Sequence, residues 1–231
     1  MSTLLRTTVA KATVDLYKMQ MVWTLGYLAI ITGINVLLLL FVPETRDTQS
    51  LLFHSLSDAS RIYMAIIGSI ICYYMLTYLV GNGITRRQYM ASTALSALAV
   101  SLSIMLLGTV LSALLTLTGL QSGPVIAAGV PGSLMTPVLV LLVYYLAGWY
   151  VTLGFYRYGT LIGIGFLFMG ILYAVVTQLI WQMRSSFPLG PVSLSAPDLS
   201  FAASLTWNLL LIVLGLVVIR LITRRIPIRM D

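Results

Sequence analysis

Residues 81–90 read Gly-Asn-Gly-Ile-Thr-Arg-Arg-Gln-Tyr-Met and form a short polar segment between two long apolar runs. This segment holds the only adjacent pair of basic residues in the first 220 positions. Because glycine loses the most backbone entropy when it is ordered, Gly81 and Gly83 predict the end of one helix. Thr85 is placed to cap the next helix, so Arg86 is predicted to begin a short helix parallel to a membrane surface.

The composition of the chain is that of an integral membrane protein. It has 231 residues, of which 59% are hydrophobic and only 8% are charged, whereas a soluble domain carries about 25% charged residues. A membrane-spanning helix needs about 20 apolar residues, so the chain has room for six spans with short connections. We predict an all-α protein of one transmembrane domain, residues 1–231, with spans at about 21–42, 61–80, 92–118, 137–153, 160–181 and 201–222.

Residues 1–20 precede the first apolar run and show a helical pattern of their own. Leu5, Val9, Ala12 and Leu16 recur at helical spacing, while the charged side chains fall on other faces. This pattern predicts an amphipathic interfacial helix ahead of the first span. The alternative is a frayed basic tail.

The distribution of basic residues predicts how the spans are oriented. Three of the thirteen Lys and Arg residues lie in loops or at a span end on one predicted side of the membrane: Arg46, Arg61 and Arg184. The other ten lie on the opposite side: Arg6, Lys11, Lys18, Arg86, Arg87, Arg157, Arg220, Arg224, Arg225 and Arg229. The positive-inside rule therefore predicts that both termini and residues 81–91 are cytoplasmic. We assign the net charge of +7 to this face of the membrane and not to nucleic-acid binding.

Several kinds of chemistry are disfavoured by the sequence. It contains no G-x-x-x-x-G-K-[ST] phosphate-binding loop and no His, Cys, Asp or Glu cluster with metal-ligand spacing. The single histidine, His54, falls in a predicted outer loop, and the single cysteine, Cys72, falls in an apolar run. The predicted spans have no ionisable residue in their interior, which argues against ion coupling and against intramembrane catalysis. We therefore expect a chain that is not an enzyme and holds no cofactor.

The run Gly83-Ile84-Thr85-Arg86-Arg87-Gln88-Tyr89 is similar to the G-x-[ST]-R-[RK]-x-[FY] segment of ABC-2-type transporter membrane subunits. An amphipathic first helix followed by six spans also resembles that family. The resemblance implies an ABC-2-type permease architecture, in which this segment is the coupling helix that docks on a separate ATPase subunit. ATP and Mg would then be bound by that partner. A second cytoplasmic contact at Arg157 and a helical hairpin over residues 184–200 are also implied.

The residues of the segment suit such a contact. The guanidinium groups of Arg86 and Arg87 are permanently charged, and each can donate two parallel hydrogen bonds to a carboxylate. Tyr89 is an aromatic residue of the kind that anchors protein interfaces. The full set of predicted coupling residues is Gly83, Thr85, Arg86, Arg87, Gln88, Tyr89 and Arg157. In the alternative interpretation, Arg86 and Arg87 only set the topology by lying at the cytoplasmic headgroups.

Three polar residues inside the spans are candidates for a substrate pathway: Asn35, Gln178 and Asn208. An uncharged interior favours export of a hydrophobic or amphiphilic cargo, such as a lipid, a drug or an antimicrobial peptide. In the alternative, these side chains join helices through hydrogen bonds.

Six spans form half a pathway, so a second permease, identical or related, is expected alongside the ATPase and membrane lipids. The chain has no large insertions, and in this it resembles the small prokaryotic members of the family. That resemblance implies a bacterial plasma membrane. A passive channel or a scaffold protein remains the competing function.

Overall fold

The computed structural model of the chain describes residues 2–42, 51–120, 132–182 and 199–224. Helix makes up 93% of the structure, and the described residues include no strand. The helices are α1 (Ser2–Phe41), α2 (Leu51–Gly81), α3 (Arg86–Leu117), α4 (Gly132–Tyr158), α5 (Thr160–Gln182) and α6 (Phe201–Thr223). All six are long and apolar enough to cross a membrane, by length and composition. The prediction of an all-α membrane protein with six candidate spans is thereby confirmed.

The predicted interfacial helix and the predicted first span form one continuous helix in the structure. Helix α1 runs through 40 residues without a break, because residues 2–25 contain neither glycine nor proline to interrupt it. At 1.5 Å per residue it is about 60 Å long, about twice the thickness of a hydrocarbon core. Part of α1 therefore extends beyond the hydrocarbon core of any bilayer that the helix crosses.

The side chains in the N-terminal part of α1 separate by polarity. Ala12 and Leu16 are buried, whereas the charged residues on the other side are exposed: Lys11, Asp15 and Lys18. This division has the expected helical period. The location of this part on a membrane surface stays a prediction.

Three other predicted boundaries also change. Helix α2 begins at Leu51, inside the predicted outer loop, so His54 is helical. Helix α3 is continuous from Arg86 to Leu117, so no separate surface helix precedes the third span. Helix α4 begins at Gly132, and Pro137 lies within it and not at its start. The predicted bounds of α5 and α6 agree with the structure to within a residue. Most of the predicted hairpin, residues 184–198, lies outside the described residues.

The chain divides into two compact units. Unit 1 comprises Met1–Tyr63 and Arg87–Val138, and unit 2 comprises Met64–Arg86 and Leu139–Asp231.

In unit 1, side-chain hydrogen bonds join α1 to both neighbouring helices. Polar side chains inside an apolar bundle must find partners within it, because lipid offers none. The Tyr27 and Tyr63 rings stack with their centroids 4.1 Å apart. The bonds to α2 join Thr24 with Tyr63, Tyr27 with Ser60, and Asn35 with Ser55. Those to α3 join Gln20 with Ser96 and Tyr17 with Ser103.

In unit 2, glycines let α2 and α4 approach closely. A Cβ at Gly148 would lie 2.8 Å from the carbonyl carbon of Ala65, and one at Gly68 would lie 3.0 Å from that of Tyr145. The Ser69 hydroxyl donates to the Gly148 carbonyl across the same contact, at 3.0 Å. Small residues at such crossings allow the dispersion contacts that hold helices together in lipid.

Helices α5 and α6 of unit 2 run antiparallel. The Tyr173 hydroxyl donates to the carbonyl of Leu211 at 2.9 Å, and the Ser204 hydroxyl donates to that of Ile180 at 3.5 Å. Position 173 on α5 is thus level with 211 on α6, and 180 is level with 204. Asn208 is accordingly level with residues 176 and 177 of α5.

Candidate functional site

The predicted break after α2 is a glycine-terminated helix end. Gly83 has a φ of +83°, in the left-handed region that glycine adopts without steric cost. Its N–H donates to the Val80 carbonyl at 3.1 Å, and the N–H of Ile84 donates to the Leu79 carbonyl at 3.0 Å. These two bonds form a Schellman motif, which satisfies carbonyls that the end of a helix leaves without partners. Gly83 therefore reverses the chain at the end of α2.

The residues that follow differ in exposure. Thr85, directly before the first residue of α3, is exposed, and so is Arg87. Arg86 and Gln88 are half-buried. Tyr89 is fully buried, with none of its surface exposed. It does not fit the predicted role of an aromatic anchor for a partner, because its ring already packs within the chain.

Within unit 2, Arg86 is bound to the far end of the chain. Its Nη1 donates to the carbonyl oxygen of Arg224 at 2.8 Å. Arg224 directly follows α6, and its own N–H donates to the Arg220 carbonyl at 3.1 Å. The guanidinium thus satisfies a carbonyl beyond the end of α6, where the helix dipole also favours a positive charge.

Arg157 binds the same helix end from another direction. It lies in the last turn of α4, one residue before Tyr158, and not in the turn where it was predicted. The turn itself is Gly159, with a φ of +80°. The Nη1 of Arg157 donates to the Ile222 carbonyl at 2.7 Å, and its guanidinium carbon lies 4.8 Å from the centroid of the Tyr158 ring. Arg86 and Arg157, predicted in separate loops, therefore converge on the C-terminal end of α6.

That convergence was missed from the sequence, although a signal for it exists. Helices commonly end on a glycine that closes off the last carbonyls, but α6 ends at Thr223 and is followed by Arg224. A helix end without such a glycine needs donors from elsewhere. Arginines at the ends of neighbouring elements are the natural source of those donors.

A basic cleft of about 520 Å³ adjoins this helix end, and it is lined by Arg157, Tyr158, Leu221, Ile222 and Arg224. The described residues of unit 2 include four arginines and neither Asp nor Glu. No ion pair therefore neutralises these arginines within that part of the chain. The cleft is chemically suited to an anion with oxygen acceptors, since guanidinium groups bind carboxylates and phosphates in a fork geometry.

Two of the three polar pathway candidates have partners within the bundle. The Asn35 amide accepts from the Ser55 hydroxyl at 2.8 Å and donates to the carbonyl of Ile31 at 2.9 Å. Gln178 donates to the Tyr144 hydroxyl at 3.1 Å. These contacts favour the alternative that Asn35 and Gln178 join helices.

Asn208 is different, because it is fully buried and neither its amide nitrogen nor its amide oxygen has a hydrogen-bond partner. Thr177, at the same level on α5, is also fully buried, and its hydroxyl has no partner. Burying an unpaired amide costs about 1–3 kcal/mol. A buried group without a partner calls for a specific explanation, such as an ordered water, an ion or a functional role. Of the three candidates, Asn208 is the one that the structure leaves available for a function.

Among the described residues, no three His, Cys, Asp or Glu side chains come together as a possible metal site. His54 is near Phe53, with the ring centroids 6.0 Å apart, and Cys72 is buried. No known protein-family model matches this chain, and neither a curated protein nor a solved structure was found that matches it.

Proposed function

We propose that this chain is the membrane-spanning permease subunit of an ATP-driven, ABC-2-type exporter. The observation that carries the proposal is the segment after α2. It is a glycine-terminated turn with exposed Thr85 and Arg87, and Arg86 links it to the end of α6. The similarity of residues 83–89 to the coupling segment of ABC-2-type subunits supports the same function.

The proposed mechanism separates two kinds of residue in this segment. Thr85, Arg87 and Gln88 contact the ATPase, and the Arg87 guanidinium pairs with carboxylates on its surface. Arg86 and Arg157 transmit the displacement, because each is hydrogen-bonded to the last carbonyls of α6. ATP and Mg bind on the partner, and this chain contributes no catalytic group.

The proposed cargo is hydrophobic or amphiphilic, a lipid, a drug or an antimicrobial peptide. Within the described helices, charged side chains lie near helix ends, apart from those in the long N-terminal part of α1 and from Asp58 and Arg61 of α2, which pair with each other at 2.9 Å. A bundle with such an interior would not offer a charged solute the counter-charge it needs. We place Asn208 on the pathway. The complete transporter would contain a second permease, and it would lie in a bacterial plasma membrane with both termini of this chain in the cytoplasm.

The experiment is a purification of the tagged chain from its native host in a gentle detergent, with mass spectrometry of the bound proteins. The expected partner is a soluble chain that carries a G-x-x-x-x-G-K-[ST] sequence. The Arg87→Ala variant should no longer co-purify with this ATPase, because the substitution removes an exposed charge. The variant should still fold, since that charge makes no contact needed for the fold. Lys18→Ala, which removes another exposed charge from α1, should retain it.

The competing function is a passive channel or scaffold. Its best support is that the Arg86 guanidinium donates its hydrogen bond to a carbonyl of the same chain. A residue with a purely structural role makes such a bond. Recovery of a homo-oligomer without any ATPase would favour this alternative, as would equal recovery of the ATPase with Arg87→Ala and Lys18→Ala.

A further inference from the structure

Unit 2 contains an apolar cavity of about 220 Å³ among α4, α5 and α6. Leu146 and Tyr150 line it from α4, Tyr173 from α5, and Leu214 and Val218 from α6. The Tyr173 hydroxyl is already used, since it donates to the backbone of α6. An apolar cavity of about 150 Å³ is known to stay dry and to bind benzene, so this one is large enough for an apolar group.

The wall of the cavity is open toward the outside of the bundle. Leu172 and Leu214 both line it, and their exposed fractions are 53% and 58%. In a bilayer such side chains face acyl chains and not water. The cavity is therefore accessible to lipid from the side.

One face of α4 and one face of α6 each carry residues that line the cavity and residues that line the basic cleft. On α6, Val218 lines the cavity and Ile222, one turn later, lines the cleft. On α4, Tyr150 lines the cavity and Arg157, two turns later, lines the cleft. Residues four and seven apart lie on one face of a helix. The step from Val218 to Arg224 is about 9 Å along the axis, so an apolar site and a basic site follow each other at close range.

The cleft presents two positive charges, and one of them is held in place. Arg157 is held by the Ile222 carbonyl on one side and by the Tyr158 ring on the other. Arg224 is exposed beside it, and the described part of unit 2 offers neither an Asp nor a Glu to neutralise either one. The anion that matches this arrangement carries phosphate oxygens next to an apolar chain.

We propose that unit 2 binds an anionic phospholipid, with the phosphate of its headgroup against Arg157 and Arg224 and one acyl chain in the cavity. The site rests on the cavity and on the charges of the cleft, and it does not depend on an ATPase partner. A lipid bound there would join α4, α5 and α6 at the helix end to which Arg86 and Arg157 are hydrogen-bonded.

The test uses the purified full chain in detergent, with dioleoyl phosphatidylglycerol as the probe. Dioleoyl phosphatidylcholine is the zwitterionic comparison, because its choline ammonium cancels the charge of its phosphate. Native mass spectrometry counts the retained lipids, and a thermal shift gives the affinity. We expect phosphatidylglycerol to be retained preferentially. Inorganic phosphate at the same concentration should give no shift, because it has no acyl chain.

Two pairs of variants locate the site. Arg224→Ala removes a charge from the cleft, whereas Arg220→Ala removes an exposed charge from the same helix outside the cleft. Val218→Phe fills the cavity, whereas Val213→Phe adds the same bulk at a position that is 56% exposed and outside the cavity. Arg224→Ala should weaken phosphatidylglycerol binding by about tenfold, the effect of losing one charge-assisted hydrogen bond. Val218→Phe should also weaken it, because the ring takes the space of the acyl chain. The second member of each pair should leave binding unchanged. If Arg224→Ala does not yield folded protein, Arg224→Gln keeps the bulk and removes the charge.

Several results would overturn the proposal. Equal retention of the two lipids would show that the headgroup charge is not recognised, and a shift with phosphate as large as that with phosphatidylglycerol would indicate a free-anion site. Equal effects within each pair of variants would place the lipid elsewhere. A lipid-free dimer that Val218→Phe converts to monomers would show that a second copy covers the cavity. None of these measurements involves ATP. A result that refutes the lipid site would therefore leave the proposed transport function untouched.

Discussion

The Nη1 of Arg86 donates a hydrogen bond of 2.8 Å to the carbonyl oxygen of Arg224, 138 residues later in the chain. The bond ties the segment after α2 to the end of α6 within unit 2. Arg157 makes the corresponding bond to the Ile222 carbonyl. The C-terminal end of α6 is therefore held by two guanidinium groups, each from a position where the sequence predicts contact with a partner.

The first prediction concerns this helix end. Arg86→Ala should leave the Arg224 carbonyl without its guanidinium donor and increase fraying of the last turn of α6. We expect faster amide hydrogen exchange over residues 219–224, by a factor of about five, as loss of about 1 kcal/mol implies. Arg87→Ala, at the neighbouring exposed position, should leave this exchange unchanged. Equal exchange in both variants would mean that the Arg86 bond does not stabilise α6.

The second prediction concerns the turn at Gly83. Its positive φ disfavours any side chain with a Cβ, by about 1–2 kcal/mol, although a Cβ there would meet no atom within 4 Å. Gly83→Ala should therefore lower the melting temperature through backbone strain and not through crowding. Gly83→Asn should lower it less, because asparagine tolerates this conformation.

Gly81→Ala is the control for that measurement. Gly81 is the last residue of α2, its φ is not positive, and a Cβ there also meets nothing within 4 Å. We expect Gly81→Ala to be neutral or slightly stabilising, since alanine is the better helix former. A loss as large as that of Gly83→Ala would contradict the strain explanation.

The third prediction concerns the glycine contact between α2 and α4 in unit 2. Gly148→Ala would push a methyl group against the backbone of Ala65, and backbone cannot move aside as a side chain can. We expect a loss of about 1–3 kcal/mol, the usual cost of overpacking, measured as a lower melting temperature in detergent. Gly165→Ala, in open space on α5, should show no such loss. If both variants melt alike, the close approach of the two helices is not rigid.

The fourth prediction compares two buried asparagines by the same substitution. Asn208→Leu should raise the melting temperature by about 2–4 °C, because it removes a buried amide without partners at a gain of about 1 kcal/mol. Asn35→Leu should lower it, because it breaks the bonds to Ser55 and Ile31. Destabilisation by Asn208→Leu would show that its amide has a partner in the native protein.

Transport measurements complete the comparison of these asparagines. If Asn208 belongs to the pathway, Asn208→Leu should reduce export of a fluorescent lipid from cells even though the protein is more stable. Asn35→Leu should reduce export only in proportion to the amount of folded protein. Full export by Asn208→Leu, normalised to folded protein, would remove Asn208 from the pathway.

Much of the helical architecture could be predicted from the sequence. The six helices follow from apolar runs of sufficient length, and the ends of α2, α5 and α6 were predicted to within one or two residues. The predicted start of α2 was ten residues late. The charged residues that follow Leu51-Leu52-Phe53 offset the hydropathy of these three residues, so the apolar run begins only later in the sequence. The predicted interfacial helix and first span are continuous because a change in polarity alone does not end a helix when no glycine or proline is present at the change.

The candidate site was predictable in its residues but not in its contacts. Gly83 was recognisable because the need for a positive φ is a local property of the backbone. The burial of Tyr89, the bonds of Arg86 and Arg157 to α6, and the different surroundings of Asn35 and Asn208 were not. Each of these depends on a residue that is distant in the sequence or on another helix.

The sequence by itself determined that the chain is helical, apolar and punctuated by a glycine turn followed by two arginines. Helix formation, hydropathy and turn conformation are set within a few residues, so a linear pattern suffices for them. Only the tertiary structure decided which carbonyls accept hydrogen bonds from Arg86 and Arg157, and that α4 and α6 each line both an apolar cavity and a basic cleft. Residues 65 and 138 positions apart meet there because side chains pack between helices, and a one-dimensional pattern does not specify that packing.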